Sequence, residues 1–344
     1  MSHHVNVPVF VPHAGCPHLC SFCNQRTISG ELRPPTPEEV SAVFAAARES
    51  LGERMHSAQL AFFGGSFTGV DPEYRRALLK AACPFVGPGG FSGIRVSTRP
   101  DLITPDILAE LRDYGVTAVE LGAQSMRDEV LKANDRGHSA REVAHASRLI
   151  KKAGLELGLQ MMTGLYGDDN EGAMDTARAL AALEPDTVRV YPTVVLEGTR
   201  LARLWREGRY APQSLEEAVA LGARLLEVFH SRGIRVIRLG LQDEEGLRQG
   251  MLAGPHHPAL RELCESRLML QKALDELDAG RIPPGPLLIK VHPGCLSKMI
   301  GQHRCNIAAL AGRGYRARVE ASRDIPPLAL ILSSNRNIPK NISI

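Results

Sequence analysis

Three closely spaced cysteines are the residues with the clearest chemistry in this chain. Cys16, Cys20 and Cys23 follow an apolar run near the start of the sequence, with the spacing C-x₃-C-x₂-C. Three thiolates on one tight loop can each bind one iron of a four-iron cube, which leaves the fourth iron open for a substrate or cofactor. A zinc site is the alternative, and it would need a fourth ligand such as His13 or His18.

The cysteine usage of the whole chain favours a metal site over a disulfide scaffold. The 344 residues include seven cysteines, an odd number, and three of them fall within eight residues. Disulfide frameworks are typical of short secreted chains with paired cysteines, so we expect a reducing cytoplasm. The sequence shows neither a signal-peptide pattern nor an apolar stretch long enough for a membrane span, so no membrane association is expected.

The elements that must position the cysteine loop alternate between strands and helices. Continuous apolar runs predict parallel strands that are buried on both faces. Between the runs, helix starts are marked by Thr36-Pro37, Thr104-Pro105, Ser139 and Ser214, three of them with a glutamate at the third helical position. The predicted strands are residues 7–11, 59–63, 93–98, 118–121, 155–161, 187–191 and 235–241.

This alternation predicts an α/β fold with a parallel sheet, closed or partly closed into a barrel. In such barrels the chemistry lies on the loops that follow the strands, where the cysteine loop also falls. We assign residues 1–242 to the barrel and 243–280 to a helical extension. A proline-rich linker then leads to a small α/β lobe in residues 281–344.

Charge is distributed unevenly between the barrel and the lobe. The chain has a net charge of +3, but residues 281–344 contain ten basic and two acidic residues, a net charge of +8. The first 280 residues therefore carry −5. A basic lobe on an acidic body favours a polyanion as partner, with a merely solubilising surface as the alternative. Within the lobe, Lys298 and Arg304 flank Gly301 in a loop that we expect to contact a phosphate.

The cysteine spacing and a series of later motifs resemble the radical SAM superfamily. Within it, the series is most similar to the catalytic subunit of the Elongator tRNA-modifying complex and to its short bacterial relatives, which lack the acetyltransferase domain. The resemblance implies a partial (β/α) barrel of the radical SAM type over most of residues 5–280. The matching motifs are FFGGSFT at 62–68, STRPD at 97–101, ELGAQS at 120–125, RGH at 136–138 and GLQMMTGL at 158–165.

The resemblance implies two cofactors, a [4Fe–4S] cluster and S-adenosylmethionine. Cys16, Cys20 and Cys23 would bind three irons, and S-adenosylmethionine would bind the fourth. One electron from the cluster would then cleave the cofactor and generate a 5′-deoxyadenosyl radical. The residues expected to bind S-adenosylmethionine follow successive strands: Gly64 and Gly65 near its amino group, Arg99 at its carboxylate, Ser97 and Gln124 at its carboxylate or ribose, and Gln160 at its ribose or adenine.

The function predicted from the sequence is radical modification of RNA, with tRNA as the expected substrate. An electron donor such as flavodoxin or ferredoxin is the other expected partner. Two alternatives stay open at this point. One is a radical SAM enzyme that acts on a small molecule. The other is a non-catalytic RNA-binding protein in which the iron–sulfur cluster is only structural.

Overall fold

Each of the seven apolar runs forms a strand in the computed structural model, which describes residues 5–12, 15–17, 19–24, 33–243, 245–280 and 282–334. All neighbouring strands pair in parallel, in the order β1-β2-β3-β4-β5-β6-β8. This sheet is the predicted partial barrel, and its first and last strands are its open edges. The strands are β1 (Val5–Phe10), β2 (Ala58–Phe63), β3 (Ile94–Thr98), β4 (Val116–Gln124), β5 (Glu156–Thr163), β6 (Thr187–Pro192) and β8 (Arg235–Leu239).

Helices connect the strands, and several begin where the sequence predicts. The side chains of Thr36 and Ser139 accept hydrogen bonds from the third helical N–H, and a glutamate bonds back to each cap, so both capping boxes form. Thr104 caps its helix in the same way without the reciprocal bond. The helices are α1 (Pro37–Leu51), α2 (Pro72–Ala82), α3 (Pro105–Asp113), α4 (Asp128–Ala133), α5 (Ala140–Lys152), α6 (Asn170–Ala181), α7 (Arg200–Arg206), α8 (Leu215–His230) and α9 (Glu245–Gly250).

The chain divides into two compact units. The first unit comprises residues 1–215 and 228–258, and the second comprises 216–227 and 259–344. The first unit contains the parallel sheet and a short antiparallel pair, β7 (Val195–Leu196) with β9 (Met251–Ala253). None of the described helices combines the length and apolarity needed to cross a bilayer.

The second unit contains a small mixed sheet and three helices between residues 260 and 312. Helix α10 (Leu260–Asp278) is followed by β10 (Gly285–Val291), α11 (Leu296–Ile300), α12 (Cys305–Gly312), β11 (Tyr315–Ala321) and β12 (Leu330–Ser334). Strand β10 lies in the middle, parallel to β11 and antiparallel to β12. The α/β lobe is therefore confirmed, and β12 is a strand that the sequence reading missed.

One detail of this lobe differs from what its sequence suggests. The apolar pattern of residues 287–321 suggests a strand, one helix over residues 296–310 and a second strand, but the helical stretch is broken into two helices. The break has a local cause, because Gly301 has φ +79° and both His303 and Arg304 adopt left-handed backbone conformations. Three such residues within four positions cannot continue a right-handed helix. In addition, Lys298 Nζ lies 2.6 Å from Glu265 Oε2 in an ion pair, so its charge is partly compensated within the lobe.

Candidate active site

The nine residues predicted to hold the cluster or S-adenosylmethionine all line one cavity of about 560 Å³, which lies in the first unit. Because all strands of the sheet run in the same direction, their carboxyl ends and the loops beyond them meet on one side. The cavity reaches from the loop after β1 to strand β8. The nine lining residues are Cys16, Cys20, Cys23, Gly64, Gly65, Ser97, Arg99, Gln124 and Gln160.

The cysteine loop is held in place by Asn134, which follows helix α4 and is fully buried. The Ser21 hydroxyl donates to Asn134 Oδ1 at 2.7 Å, and the Ser21 backbone N–H donates to the Asn134 carbonyl at 3.0 Å. Asn134 Nδ2 donates to the carbonyls of Val130 and Tyr166, each at 2.8 Å. The Leu201 N–H donates to the Ser21 carbonyl at 2.7 Å. The loop between the second and third cysteines is therefore bonded directly to two separate segments, and Asn134 connects it to a third at Tyr166.

An apolar cluster closes the inner side of the same loop. Phe22 is buried and packs with Leu165, Leu201 and other apolar residues, and Cys20 and Cys23 contact this cluster. This packing limits the access of water to two of the three thiols. It also means that Phe22, the aromatic residue before the third cysteine, belongs to the wall beside the thiols.

The electrostatics of the three thiols fit a cationic occupant. Burial raises the pKa of Cys23 to about 12, with further contributions from the neighbouring thiols of Cys20 and Cys16. Burial is also the largest cause of the raised pKa of Cys16. Deprotonating such thiols requires positive charge next to the sulfurs, which bound iron supplies. Arg136 contributes as well, because its Nη1 donates to Cys20 Sγ at 2.9 Å.

The site is not arranged around a single metal ion. Among the residues that the structure describes, no three histidine, cysteine, aspartate or glutamate side chains surround one ion position. A four-iron cube has no such requirement, since each thiolate binds a different iron. His13 and His18, the fourth ligands of the alternative zinc site, lie outside the described residues. The described donors, three thiols of which each can bind a different iron, are those that a four-iron cube requires.

Gly64 and Gly65 form the turn that leaves strand β2 at the cavity. Both have positive φ, +78° and +53°, a conformation that residues with a Cβ rarely adopt. The turn exposes backbone N–H and C=O groups to the cavity without covering them with side chains. This is the open backbone surface expected for the amino group of S-adenosylmethionine.

Ser97 and Gln160 belong to a hydrogen-bonded network centred on Glu120, which is almost fully buried. Gln160 Nε2 donates to Ser97 Oγ at 3.3 Å and also to Glu120 Oε1. Arg189 Nε donates to Glu120 Oε2 at 2.8 Å, and Arg95 lies 3.7 Å from the same oxygen. The sequence reading included Glu120 in a motif but gave it no role.

Arg99 and Gln124 occupy the expected loops, but their partners differ. Arg99 donates to both carboxylate oxygens of Asp101, at 2.9 and 3.0 Å, so its charge is already compensated within the loop. Gln124 has φ +65°, and its Oε1 is buried without a hydrogen-bond partner. An unsatisfied buried oxygen beside a cavity is suited to a ligand donor.

Arg136 is the binding candidate that the sequence reading missed. Its Nη2 donates to the Gly122 carbonyl at 2.6 Å, and its Nε is buried without a hydrogen-bond partner among the described residues. No carboxylate among the described residues lies within ion-pair distance of this guanidinium, which lines the cavity beside Cys20. The RGH motif at 136–138 was the available signal, since an arginine just after a strand–helix unit of a barrel lies near the active side.

The fold and the site together define a class of protein. Residues 10–180 match the model of the radical SAM superfamily, and residues 185–269 match that of the radical SAM C-terminal domain. The chain belongs to the radical SAM superfamily and is a radical SAM enzyme. The cofactors of this family are a [4Fe–4S] cluster and S-adenosylmethionine, as the resemblance of the sequence to the superfamily implied.

Named relatives narrow the resemblance. The chain is 29% identical to a tRNA uridine(34) acetyltransferase of Dehalococcoides mccartyi, over 60% of this chain and 52% of that protein. It is also 29% identical to human Elongator complex protein 3, over 64% of this chain and 43% of that protein. The chain thus spans about half the length of these relatives or less.

Among solved structures, that of archaeal Methanocaldococcus infernus Elp3 with an N-terminal deletion superimposes with a TM-score of 0.60. The two sequences are 22% identical, and the match covers 81% of this chain and 64% of that one. The match shows that the two proteins share a fold.

Proposed function

We propose that this protein modifies RNA, with tRNA as the substrate, by radical chemistry that starts from S-adenosylmethionine. The observation that carries the proposal is one cavity lined by the three-cysteine loop and by polar residues of successive strands. The names of the relatives, which act on a tRNA uridine or belong to Elongator, support RNA as the substrate. The acetyl transfer named for one of them is not part of the proposal.

Different residues of the chain would hold the two cofactors. Cys16, Cys20 and Cys23 would hold the cluster, and the open turn at Gly64 and Gly65 would accept the amino group of S-adenosylmethionine. Held there, a reduced cluster and S-adenosylmethionine would together supply radical chemistry of the 5′-deoxyadenosyl type. The buried apolar wall beside the thiols excludes water and stray hydrogen donors from this reaction.

For the carboxylate of S-adenosylmethionine, the geometry favours Arg136 over Arg99. Asp101 already engages Arg99 through two hydrogen bonds, whereas Arg136 has a buried donor without a partner. A carboxylate that reaches this guanidinium would form a charge-assisted hydrogen bond. Gln124 and Gln160 then remain for the ribose and adenine.

The second unit supports RNA as the partner through its exposed cations. Lys290, Arg304, Arg316 and Arg323 are exposed, and none has a carboxylate within ion-pair distance among the described residues. Unpaired surface cations bind phosphates and release counterions from the nucleic acid. Arg281, Arg336 and Lys340, which contribute to the +8 of the lobe, lie outside the described residues.

The radical chemistry requires an electron donor and a reducing compartment. The cluster requires a one-electron donor, and we assign that role to a flavodoxin or a ferredoxin. Because the cluster thiolates must stay reduced, we place the protein in the cytoplasm.

The test of the proposed function is anaerobic purification followed by reduction. We expect about four irons per chain, as one cube held by three thiolates requires, and formation of 5′-deoxyadenosine from S-adenosylmethionine. The variant Cys20→Ala should lose the iron and retain the circular-dichroism spectrum of the folded protein. Bound zinc without iron after anaerobic reconstitution would contradict the proposal.

The substrate is tested separately from the radical chemistry. RNA that copurifies with the protein should be enriched in particular tRNAs, and a deletion strain should lack one modified nucleoside in its tRNA. A deletion strain with unchanged tRNA nucleosides and intact 5′-deoxyadenosine formation would favour the small-molecule alternative. An intact reduced cluster that forms no 5′-deoxyadenosine would favour the non-catalytic alternative.

A further inference from the structure

The cavity carries two arginines at the edge opposite the cysteine loop that the proposed cofactors do not use. Arg189 on β6 and Arg238 on β8 are neighbours in the parallel pairing of these strands, and both line the cavity. Their adjacency depends on a register shift between Val188 and Arg189, after which Arg189 is aligned with Arg238 and Ile237 is passed over. Such irregularities redirect side chains near active sites.

Three contacts fix the side chain of Arg189, and one of its N–H groups has no partner among the described residues. Its Nε donates to Glu120 at 2.8 Å, its Nη1 contacts the Tyr191 hydroxyl at 3.4 Å, and its guanidinium lies 4.9 Å from the centre of the Phe63 ring. Its Nη2 is buried and has no hydrogen-bond partner in the part of the chain that the structure describes. A fixed guanidinium with one free N–H edge is pre-organised for an acceptor that comes from outside the protein.

Arg238 adds a positive charge that the cavity does not compensate. Its Nε donates to the Gly240 carbonyl at 3.1 Å, and no carboxylate among the described residues lies within ion-pair distance of it. Glu120 cannot serve it, because this carboxylate is already shared between Arg189 and Arg95. Unpaired charge in a partly buried site is costly, so the surplus indicates an anionic ligand.

The wall beside this pair is apolar. Val194, Leu196 and Leu247 form a small buried cluster, and Leu241 packs against it. All four line the same cavity as the two arginines. A ligand whose anionic group binds the two arginines would therefore place an uncharged, flat or apolar part against this wall.

We propose that Arg189 and Arg238 form an anion subsite that binds a phosphate of the substrate, with the attached nucleoside against the apolar wall. The inference rests on the proposed function, because the anions of an RNA substrate are its phosphates. Guanidinium groups suit this ligand, since their planar donors match two phosphate oxygens at once. The subsite lies across the sheet from the cysteine loop, so it positions the substrate and leaves the cofactor residues free.

The test compares a charged and an uncharged probe on the cluster-containing protein loaded with S-adenosylmethionine. Uridine 3′,5′-bisphosphate and uridine are titrated by anaerobic calorimetry. The wild type should bind the bisphosphate more tightly than uridine. Arg238→Gln should weaken bisphosphate binding by about tenfold or more, as expected for loss of a charge-assisted hydrogen bond, and should leave uridine binding unchanged.

A matched control is available on the same strand. Arg235 lies on β8 at the start of the strand, is outside the cavity lining, and pairs with Glu156. Arg235→Gln removes the same charge and should not affect either probe. Arg189→Lys serves as the second variant, because lysine keeps the charge next to Glu120 while losing the planar donor edge.

The outcomes separate this inference from the proposed function. If Arg238→Gln and Arg235→Gln weaken bisphosphate binding equally, the effect is general electrostatics and the subsite is refuted. If Arg238→Gln instead raises the dissociation constant of S-adenosylmethionine, the arginine belongs to the cofactor site and the inference is overturned. Failure of the wild type to form 5′-deoxyadenosine would refute the proposed function itself, whatever the titrations show.

Discussion

Replacing Asn134 should release the cysteine loop without unfolding the sheet. The Asn134→Ala variant removes three side-chain hydrogen bonds, those with Ser21, Val130 and Tyr166. One of these bonds joins Asn134 to the loop and the other two fix Asn134 itself, so at about 1 kcal/mol net for each bond the attachment of the loop loses about 3 kcal/mol of local stability. That energy corresponds to roughly a hundredfold increase in the population of the open loop.

Cluster loss measures this effect directly, because iron leaves through the open loop. The assay follows the absorbance of the cluster after addition of an iron chelator under anaerobic conditions. We expect the Asn134→Ala protein to lose iron about a hundredfold faster than the wild type, in proportion to the open population. Ser21→Ala removes only one of the three bonds and should give an intermediate rate.

Asn306 in the second unit offers a closely matched control. It is also buried, and the two hydrogens of its Nδ2 are shared among three acceptors, two atoms of Ser266 and the Lys298 carbonyl, each at 3.0 Å. Asn306→Ala should lower the unfolding free energy by a comparable amount and leave the rate of iron loss unchanged. If both variants lose iron at the same rate, global destabilisation explains the effect and the local reasoning is refuted.

Three further predictions address the cofactor turn, a buried histidine and the second unit. Gly65→Val should weaken S-adenosylmethionine binding about tenfold, because a branched side chain strains a residue with φ +53°. The control Gly52→Val has a similar φ of +51° and lies in open space, so it should leave binding intact. Equal losses in the two variants would refute the assignment of Gly65 to the cofactor site. Burial lowers the pKa of His138 to about 4, so below pH 6.5 the unfolded chain binds more protons than the folded protein does. Urea titrations should therefore show a loss of about 3 kcal/mol in the free energy of unfolding between pH 6.5 and 4. The His138→Gln variant should not show this loss. Changing Arg304 and Arg316 together to alanine should flatten the salt dependence of RNA binding by about 1.5 to 2 in log–log slope, and an unchanged slope would exclude both from the interface.

The strands and the cysteine loop were predictable because their signals are local. Each strand of the parallel sheet is a short apolar run, and burial on both faces leaves a continuous pattern that needs no knowledge of neighbours. The cysteine spacing is likewise contained in one loop. Residues that follow strand ends were expected to meet for a topological reason, and Gln124 and Ser97 do line the same cavity.

The partners of the site residues were less accessible, because they depend on side-chain geometry. Arg99 and Asp101 are two positions apart, yet nothing in the sequence shows that their bidentate contact replaces a contact with the ligand. Glu120 is shared between arginines from two other strands, which only the register of the sheet brings together. Sequence reasoning therefore located the polar residues of the cavity but could not show that Arg99 is paired with Asp101 while Arg136 has no carboxylate partner among the described residues.

The order of the strands explains which parts of the cavity could be predicted from the sequence motifs and which could not. In the first unit, neighbours in the sheet are neighbours in the sequence from β1 to β6, so the series of motifs along the chain becomes a series of positions across the cavity. The order breaks once, where β8 follows β6 and β7 pairs elsewhere. The pairing of Arg189 with Arg238 arises at that break and at a register shift, which a linear reading cannot anticipate. The motifs could thus reveal the cofactor side of the cavity, whereas the side that we assign to the substrate becomes visible only in the folded sheet.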